Sequence, residues 1–404
     1  KMQKIKLLII IAFIQGIYLY IMRFMMQPFV LSIVHSMAFV GLVDGIMYSV
    51  APSIIQLPGG WIADRIGRKK PIIFGSILII LGFNMFSLAV LTKSPVLILL
   101  GAIFMGLGTI SVPARDSFVA ESVEKSKRLM AFNIMAFAAV VPGVFSSLFG
   151  GKIADAFGFG AVFMMNISLE AICLIIIIFF IKESFITPER KIMLVKSMRT
   201  VLKNVFKIPR RLAIFYLIVS FDSFFWGLGY RIIYGLLKDK YNLSLTQIGI
   251  LGSVSMITWA VTQIPIGRLM VKSGCKNALI MSEITGLLGL IGIIIFKDFE
   301  LLILCQVLLG LMPPFWLPAL RTLISNSVVQ NERAEAIGRY MFFSGVMGFF
   351  SPVIGGFLYQ SYGMALPLLI NVIGGCLTTF AIIFLVRETK DRALGDLLVS
   401  KIEK

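Results

Sequence analysis

The chain has 404 residues, of which 58% are hydrophobic and 14% charged, with a mean hydropathy of +0.94 and a formal net charge of +18. That composition excludes an ordinary soluble protein, which needs far more polar surface. The basic excess would suggest nucleic acid in a soluble chain, but here its placement along the sequence makes it a topology signal and excludes that partner.

Twelve apolar segments can be marked, at roughly 7–34, 38–61, 71–91, 95–119, 129–151, 158–181, 212–237, 246–270, 277–296, 300–324, 337–359 and 365–386. Each can cross a hydrocarbon core of about 30 Å as a helix. Of the 38 Lys and Arg, 30 fall in connections that one topology places on the same side. Five (Lys93, Lys152, Lys238, Lys240 and Lys297) fall in the opposite loops. This asymmetry predicts an integral protein of the cytoplasmic membrane with both termini in the cytoplasm. Lys1, Lys4 and Lys6 ahead of an apolar run imitate a signal peptide, yet the run reaches about Val34 without a small-residue cleavage site and reads as a retained helix. Cys173, Cys275, Cys305 and Cys376 show no metal or redox spacing, and His35 is the one histidine, so neither a metal nor a cofactor is expected.

The long polar connection Lys182–Arg211 carries nine basic and two acidic residues, with Ile192, Val195, Met198 and Val201 at helical spacing. A basic amphipathic helix on the inner membrane surface fits it. It divides the chain into a first half (1–181), a linker (182–211) and a second half with a short tail (212–404). The halves repeat one another. Gln56-Leu57-Pro58-Gly59-Gly60 returns as Gln263-Ile264-Pro265-Ile266-Gly267, and Gly67 as Gly274. Ser146 to Gly151 returns as Ser351 to Gly356, Gly158 as Gly363, and Pro113-Ala114 as Pro318-Ala319.

Between the second and third segments lies Gly60-Trp61-Ile62-Ala63-Asp64-Arg65-Ile66-Gly67-Arg68-Lys69-Lys70. Gly67 suits a tight turn because glycine tolerates positive φ. A plain basic turn would account for Arg65, Arg68, Lys69 and Lys70, but not for Gly60, Asp64 and Gly67 at these spacings. The pattern resembles the signature loop of the major facilitator superfamily. The resemblance covers essentially the whole chain and implies an all-α membrane fold of twelve helices in two parallel six-helix pseudo-repeats, with a substrate site between them at mid-depth. It implies a latch as well: Asp64, unfavourable against the negative pole of its own helix, meets the N-terminus of helix eleven in the outward-open state. Asp116 and Glu121 are the candidate partners of Arg65 or Arg68, and Val271, standing where Asp64 would repeat, makes the latch asymmetric.

Ser351-Pro352-Val353-Ile354-Gly355-Gly356 resembles a motif of the drug-proton antiporter branch, which carries it in helix five. Helix five here ends Ser146-Ser147-Leu148-Phe149-Gly150-Gly151, and Ala102 stands where that branch has an arginine in helix four, so both places depart from the pattern. Gly150, Gly151, Pro352, Gly355 and Gly356 equally suit plain helix packing.

Ionisable residues at membrane depth are functional candidates. At about 1.5 Å per residue, Arg23 lies roughly 25 Å beyond Lys6, Asp222 roughly 16 Å beyond Arg211 and Arg231 roughly 30 Å beyond it. Asp44 heads helix two at a height comparable with Arg23, and Glu170 is central in helix six. Arg23 can pair with Asp44 or Asp222, or face Arg231 across the pseudo-repeat and clamp an anion, as guanidinium groups do; Arg231 can also snorkel outward. The clamp resembles that of the organophosphate-phosphate exchangers of the superfamily. Asp222 is the leading proton-coupling candidate and Glu170 the second, since a buried carboxylate is costly and protonation removes the cost.

With no ATP-binding pattern, the expectation is a non-enzymatic secondary transporter working by alternating access. It moves a small organic solute, with proton-coupled export of amphipathic compounds (multidrug efflux by an antiporter) ahead of organic-anion transport through Arg23 and Arg231. A sensor or lipid flippase on the same fold is the reading from another class. The expected partners are the solute, protons and the lipid bilayer, with the chain a monomer.

Overall fold

The computed structural model describes residues 2–124, 128–183, 208, 210–328 and 333–386. The amphipathic helix expected in the linker therefore falls outside the described residues. All described elements are helical. The first half comprises α1 (Met2–Val34), α2 (Met37–Gly45), α3 (Ala51–Ile66), α4 (Lys69–Thr92), α5 (Pro95–Gly108), α6 (Ser111–Ser122), α7 (Arg128–Val140) and α8 (Gly143–Phe180). The second half comprises α9 (Arg210–Leu228), α10 (Ile233–Tyr241), α11 (Leu245–Ser273), α12 (Cys275–Ile295), α13 (Phe299–Gly310), α14 (Met312–Asn326), α15 (Arg333–Tyr362) and α16 (Ala365–Leu385).

Eleven helical stretches among the described residues are long and apolar enough to span a membrane. One of them, Ala131–Phe180, is 50 residues long, more than twice what a bilayer core needs, and it reverses at Gly158 (φ 79°, ψ 171°). It is two crossings, which makes twelve. Several crossings are broken within. The second joins α2 to α3 through a π-helical turn at Ile46–Val50. The fourth and tenth break at Thr109 and Leu311, and the seventh breaks at Gly229 before a 3₁₀ turn, Tyr230–Ile232.

The ends of the crossings follow from local chemistry. Four glycines have positive φ, a backbone region closed to most side chains, and they form two repeat pairs: Gly67 (97°) with Gly274 (86°), and Gly158 (79°) with Gly363 (80°). The first pair turns on the basic face and the second on the opposite face. Lys69 donates from Nζ to the Ile178 carbonyl at 2.7 Å, and Lys276 repeats the contact on the Ile383 carbonyl at 2.6 Å. Each lysine thereby satisfies a last-turn carbonyl of the sixth or twelfth crossing. Ser244 and Gln247 form a reciprocal capping box at the start of α11.

Glycines also decide where the halves touch. A Cβ on Gly41 would collide with the Pro352 carbonyl, and one on Gly356 with the Met37 carbonyl, which brings α2 onto α15. In the same way Gly151 meets the Leu245 carbonyl and Gly249 the Ser147 carbonyl, bringing α8 onto α11. Ser147 and Ser253 share a hydroxyl hydrogen bond of 2.9 Å in that second seam. Gly355 meets the Leu228 carbonyl within the second half, and Gly150 packs on Ile21 within the first. Close backbone approach of this kind replaces the hydrophobic drive that lipid cannot supply. Both seams lie toward the opposite face. Gly41→Leu is expected to open the α2–α15 seam, read as greater labelling of a cysteine placed at Ser49.

Candidate functional site

On the basic-face side of those seams, a cavity of about 360 Å³ lies between the halves. That volume suits a small organic ligand. Its wall extends along α14 from Met312 to Leu317, toward the basic face. Three of the chain's four tryptophans line it, Trp226, Trp259 and Trp316, together with Tyr230. The charged lining residues are Arg23 from α1, Asp222 from α9, Arg231 from the 3₁₀ turn and Glu283 from α12.

The arginines separate in role. Arg231 contacts Asp44 Oδ2 through Nη2 at 2.6 Å, and donates from Nη1 to Ser49 Oγ at 2.7 Å and to the Gly348 carbonyl at 2.9 Å. Gln27 fixes its backbone: Nε2 donates to the Arg231 carbonyl at 2.5 Å and Oε1 accepts from Gly235 N at 2.8 Å. Asp44 is therefore the partner of Arg231, not of Arg23, and Arg231 does not snorkel outward. The reason is the break at Gly229, stabilised by Asn371 Oδ1 accepting from Tyr230 N at 3.1 Å, which redirects the helix toward the other half. Arg23 is exposed to the cavity and has no ion pair among the described residues. Around it stand Tyr20, Tyr48, Tyr230 and Tyr234.

Asp222 and Glu283 form the acidic side of the wall, 5% and 1% exposed. The two carboxyls are within electrostatic reach of each other, and Trp226 Nε1 donates to Glu283 Oε2 at 3.1 Å. Asp222 Oδ1 is buried without a hydrogen-bond partner, and neither acid has an ion pair among the described residues. Sequence reasoning missed Glu283. It lies seven residues beyond Lys276, roughly 10 Å into the membrane, and the default that singled out Asp222 applies to it equally.

Glu170 lies elsewhere, fully buried within the first half. Gln15 Nε2 donates to its two oxygens at 3.2 and 3.1 Å, Arg115 donates to Gln15 Oε1, and Tyr18 and Ser76 also face the carboxyl. Glu170 thus joins the first, third, fourth and sixth crossings and does not line the cavity.

At the signature loop, Arg68 donates from Nε and Nη2 to Glu121 Oε1 at 3.1 and 2.9 Å. Asp116 is exposed instead, facing the Arg115 and Arg321 charges. Gly60 sits against Pro113 with open space around it. The side chains of Asp64 and Arg65, and hence the latch expected of them, lie outside the described residues. An unforeseen residue completes the turn: Glu183 accepts from Arg68 N at 2.9 Å and Lys69 N at 3.1 Å, a carboxylate on the positive end of α4. Glu183→Ala is expected to cost about 1 kcal/mol, seen as a lower unfolding temperature of the purified protein.

The family model described as Major Facilitator Superfamily matches residues 8–236 and 212–398. The Multidrug resistance protein MdtG of Escherichia fergusonii is 26% identical over 380 residues, covering 87% of this chain and 86% of the relative. Its counterpart in Salmonella schwarzengrund is 25% identical over 321 residues, covering 75% and 74%. Among solved structures, the nucleoside transporter NupG superposes with a TM-score of 0.78 at 16% identity over 95% of this chain and all of the other. A POT family transporter bound to 5-aminolevulinic acid gives 0.74 at 13% identity, covering 95% of each chain. At those identities the likeness is one of fold.

Proposed function

The chain belongs to the Major Facilitator Superfamily, a secondary transporter of small molecules in the lipid bilayer and not an enzyme, and we propose that it exports amphipathic organic compounds in exchange for protons. The observation that carries this reading is the Asp222–Glu283 pair set among tryptophans on the cavity wall. Two carboxyls without an ion pair among the described residues hold charge in a low-dielectric wall at high cost, and either protons or a bound cation removes that cost. Tryptophan faces add attraction for a cation and apolar area for a lipophilic body. The relatives named as multidrug resistance proteins support the efflux direction. The basic face is taken as cytoplasmic, from the placement of Lys and Arg, so the cavity lies on the inner side of the seams and the form described is inward-facing. Asp222 and Glu283 are the proton-coupling residues of this reading; Arg68 and Glu121 steady the signature loop, and Glu170 with Arg115 and Gln15 holds the first half together.

A second reading is favoured by Arg23, a guanidinium in the cavity with no ion pair among the described residues: transport of a compound bearing a carboxylate or phosphate, held by Arg23 alone because Arg231 is engaged by Asp44. Thermal stability of the purified protein separates the two, since a ligand of the folded state must raise it. Tetraphenylphosphonium is expected to stabilise the wild type and not Asp222→Asn. Stabilisation by amphipathic carboxylates alone, lost in Arg23→Ala, would replace the first reading with the second.

A further inference from the structure

The turn containing Gly67 is written four times in this chain. Gly60 and Gly67, Gly151 and Gly158, Gly267 and Gly274, and Gly356 and Gly363 are each two glycines seven residues apart, and every closing glycine has positive φ. The first two copies agree further: Gly60-x-Ile62-Ala63-Asp64-x-x-Gly67 and Gly151-x-Ile153-Ala154-Asp155-x-x-Gly158. They stand on opposite faces of the membrane. Asp155 therefore occupies, on the outer face of the orientation taken above, the place Asp64 holds in the signature loop.

The structure displays what Asp155 binds. Its Oδ1 accepts from Leu245 N at 3.0 Å, and its Oδ2 accepts from Thr246 N at 2.7 Å and Thr246 Oγ1 at 2.6 Å. These donors form the first turn of α11, in the other half, where unpaired N–H groups and the positive end of the helix favour an anion. Gly151, one turn before, packs on the Leu245 carbonyl and sets the approach. The pseudo-repeat carries a weaker copy. Gln360, at the position equivalent to Asp155, donates to Ser36 Oγ at 3.0 Å, and Ser36 caps the N-terminus of α2. On this face each half reaches a helix start in the other.

We propose that Asp155 is a positioning residue for the transport cycle, a latch that holds the outer face closed while the cavity opens inward and releases when the outer face opens. The proposal goes beyond the function above, since it depends on neither the substrate nor the coupling ion. The contact joins the two halves, so it is made in one of the alternating states and broken in the other, and its loss must favour the state that lacks it.

The test is the distance between spin labels on Lys93→Cys and Lys297→Cys, outer-loop positions in the first and second halves, in full-length protein whose native cysteines are replaced, reconstituted in lipid. Asp155→Asn is expected to raise the outward-open population, seen as longer distances, by roughly threefold to tenfold. Thr246→Val, which keeps the carboxylate and both backbone donors, is expected to shift it in the same direction by less. Asp64→Asn is expected to shift it the opposite way, and the double variant to return toward the parent. An unchanged distribution in both Asp155→Asn and Thr246→Val, or a shift in the same direction as Asp64→Asn, would overturn the latch.

Discussion

Asp222→Asn is expected to reduce pH-gradient-driven transport in proteoliposomes at least tenfold while the protein still folds. Asparagine is close to isosteric with aspartate, so the wall keeps its shape. Asp222 also has no ion pair to lose among the described residues, so the substitution orphans no buried cation. What disappears, on the proposed reading, is the group that exchanges a proton. Glu283→Gln is expected to do less, because the amide still accepts from Trp226 and Asp222 remains to titrate. The double variant is expected to lose all pH dependence while retaining downhill equilibration. The measurement is uptake with and without an imposed pH difference. Equal pH dependence in the wild type and the double variant would remove these acids from the coupling.

Arg231→Gln is expected to have the largest effect on stability and on the resting conformation. Its guanidinium joins Asp44, Ser49 and the Gly348 carbonyl, one side chain holding α2, the π-helical turn and α15 to the seventh crossing. Removing one partner of a buried ion pair costs roughly 3–5 kcal/mol, and the quarter exposure of Arg231 places this pair toward about 2–3 kcal/mol. Asp44→Asn is expected to cost less, because Arg231 keeps two other acceptors. The double variant Asp44→Asn/Arg231→Gln is expected to recover part of the loss, and a double-mutant cycle on unfolding temperature measures the coupling. Additive effects would show that the pair contributes nothing beyond its separate parts.

The contrast between Asp222 and Arg231 shows what the sequence makes legible. Crossing number, charge asymmetry and the repeat are one-dimensional properties, so run lengths and glycine spacings disclose them. Gly158 and Gly363 could be matched by register alone, and both prove to be positive-φ turns. The candidate charges Arg23, Asp44, Asp222 and Arg231 were visible because any charge is conspicuous in an apolar run. Their pairing was not. It depends on helix rotation, and Arg231 follows a break at Gly229 that no periodicity announces. Glu283 is conspicuous in the same way, seven residues beyond Lys276, and its place beside Asp222 emerges only from how α12 and α9 come together on the cavity wall. Glu183 was hidden for a different reason: its role rests on a helix start 115 residues away in sequence.

The most direct measurement of the central claim, that the cavity acids exchange protons, is infrared difference spectroscopy of the reconstituted protein between acidic and alkaline buffer. The account predicts a protonated-carboxyl C=O band on acidification that includes, beside the signal of the chain's other carboxyls, a component reduced in Asp222→Asn and in Glu283→Gln and lost in the double variant. A band of undiminished size in the double variant, or none in the wild type, would contradict it.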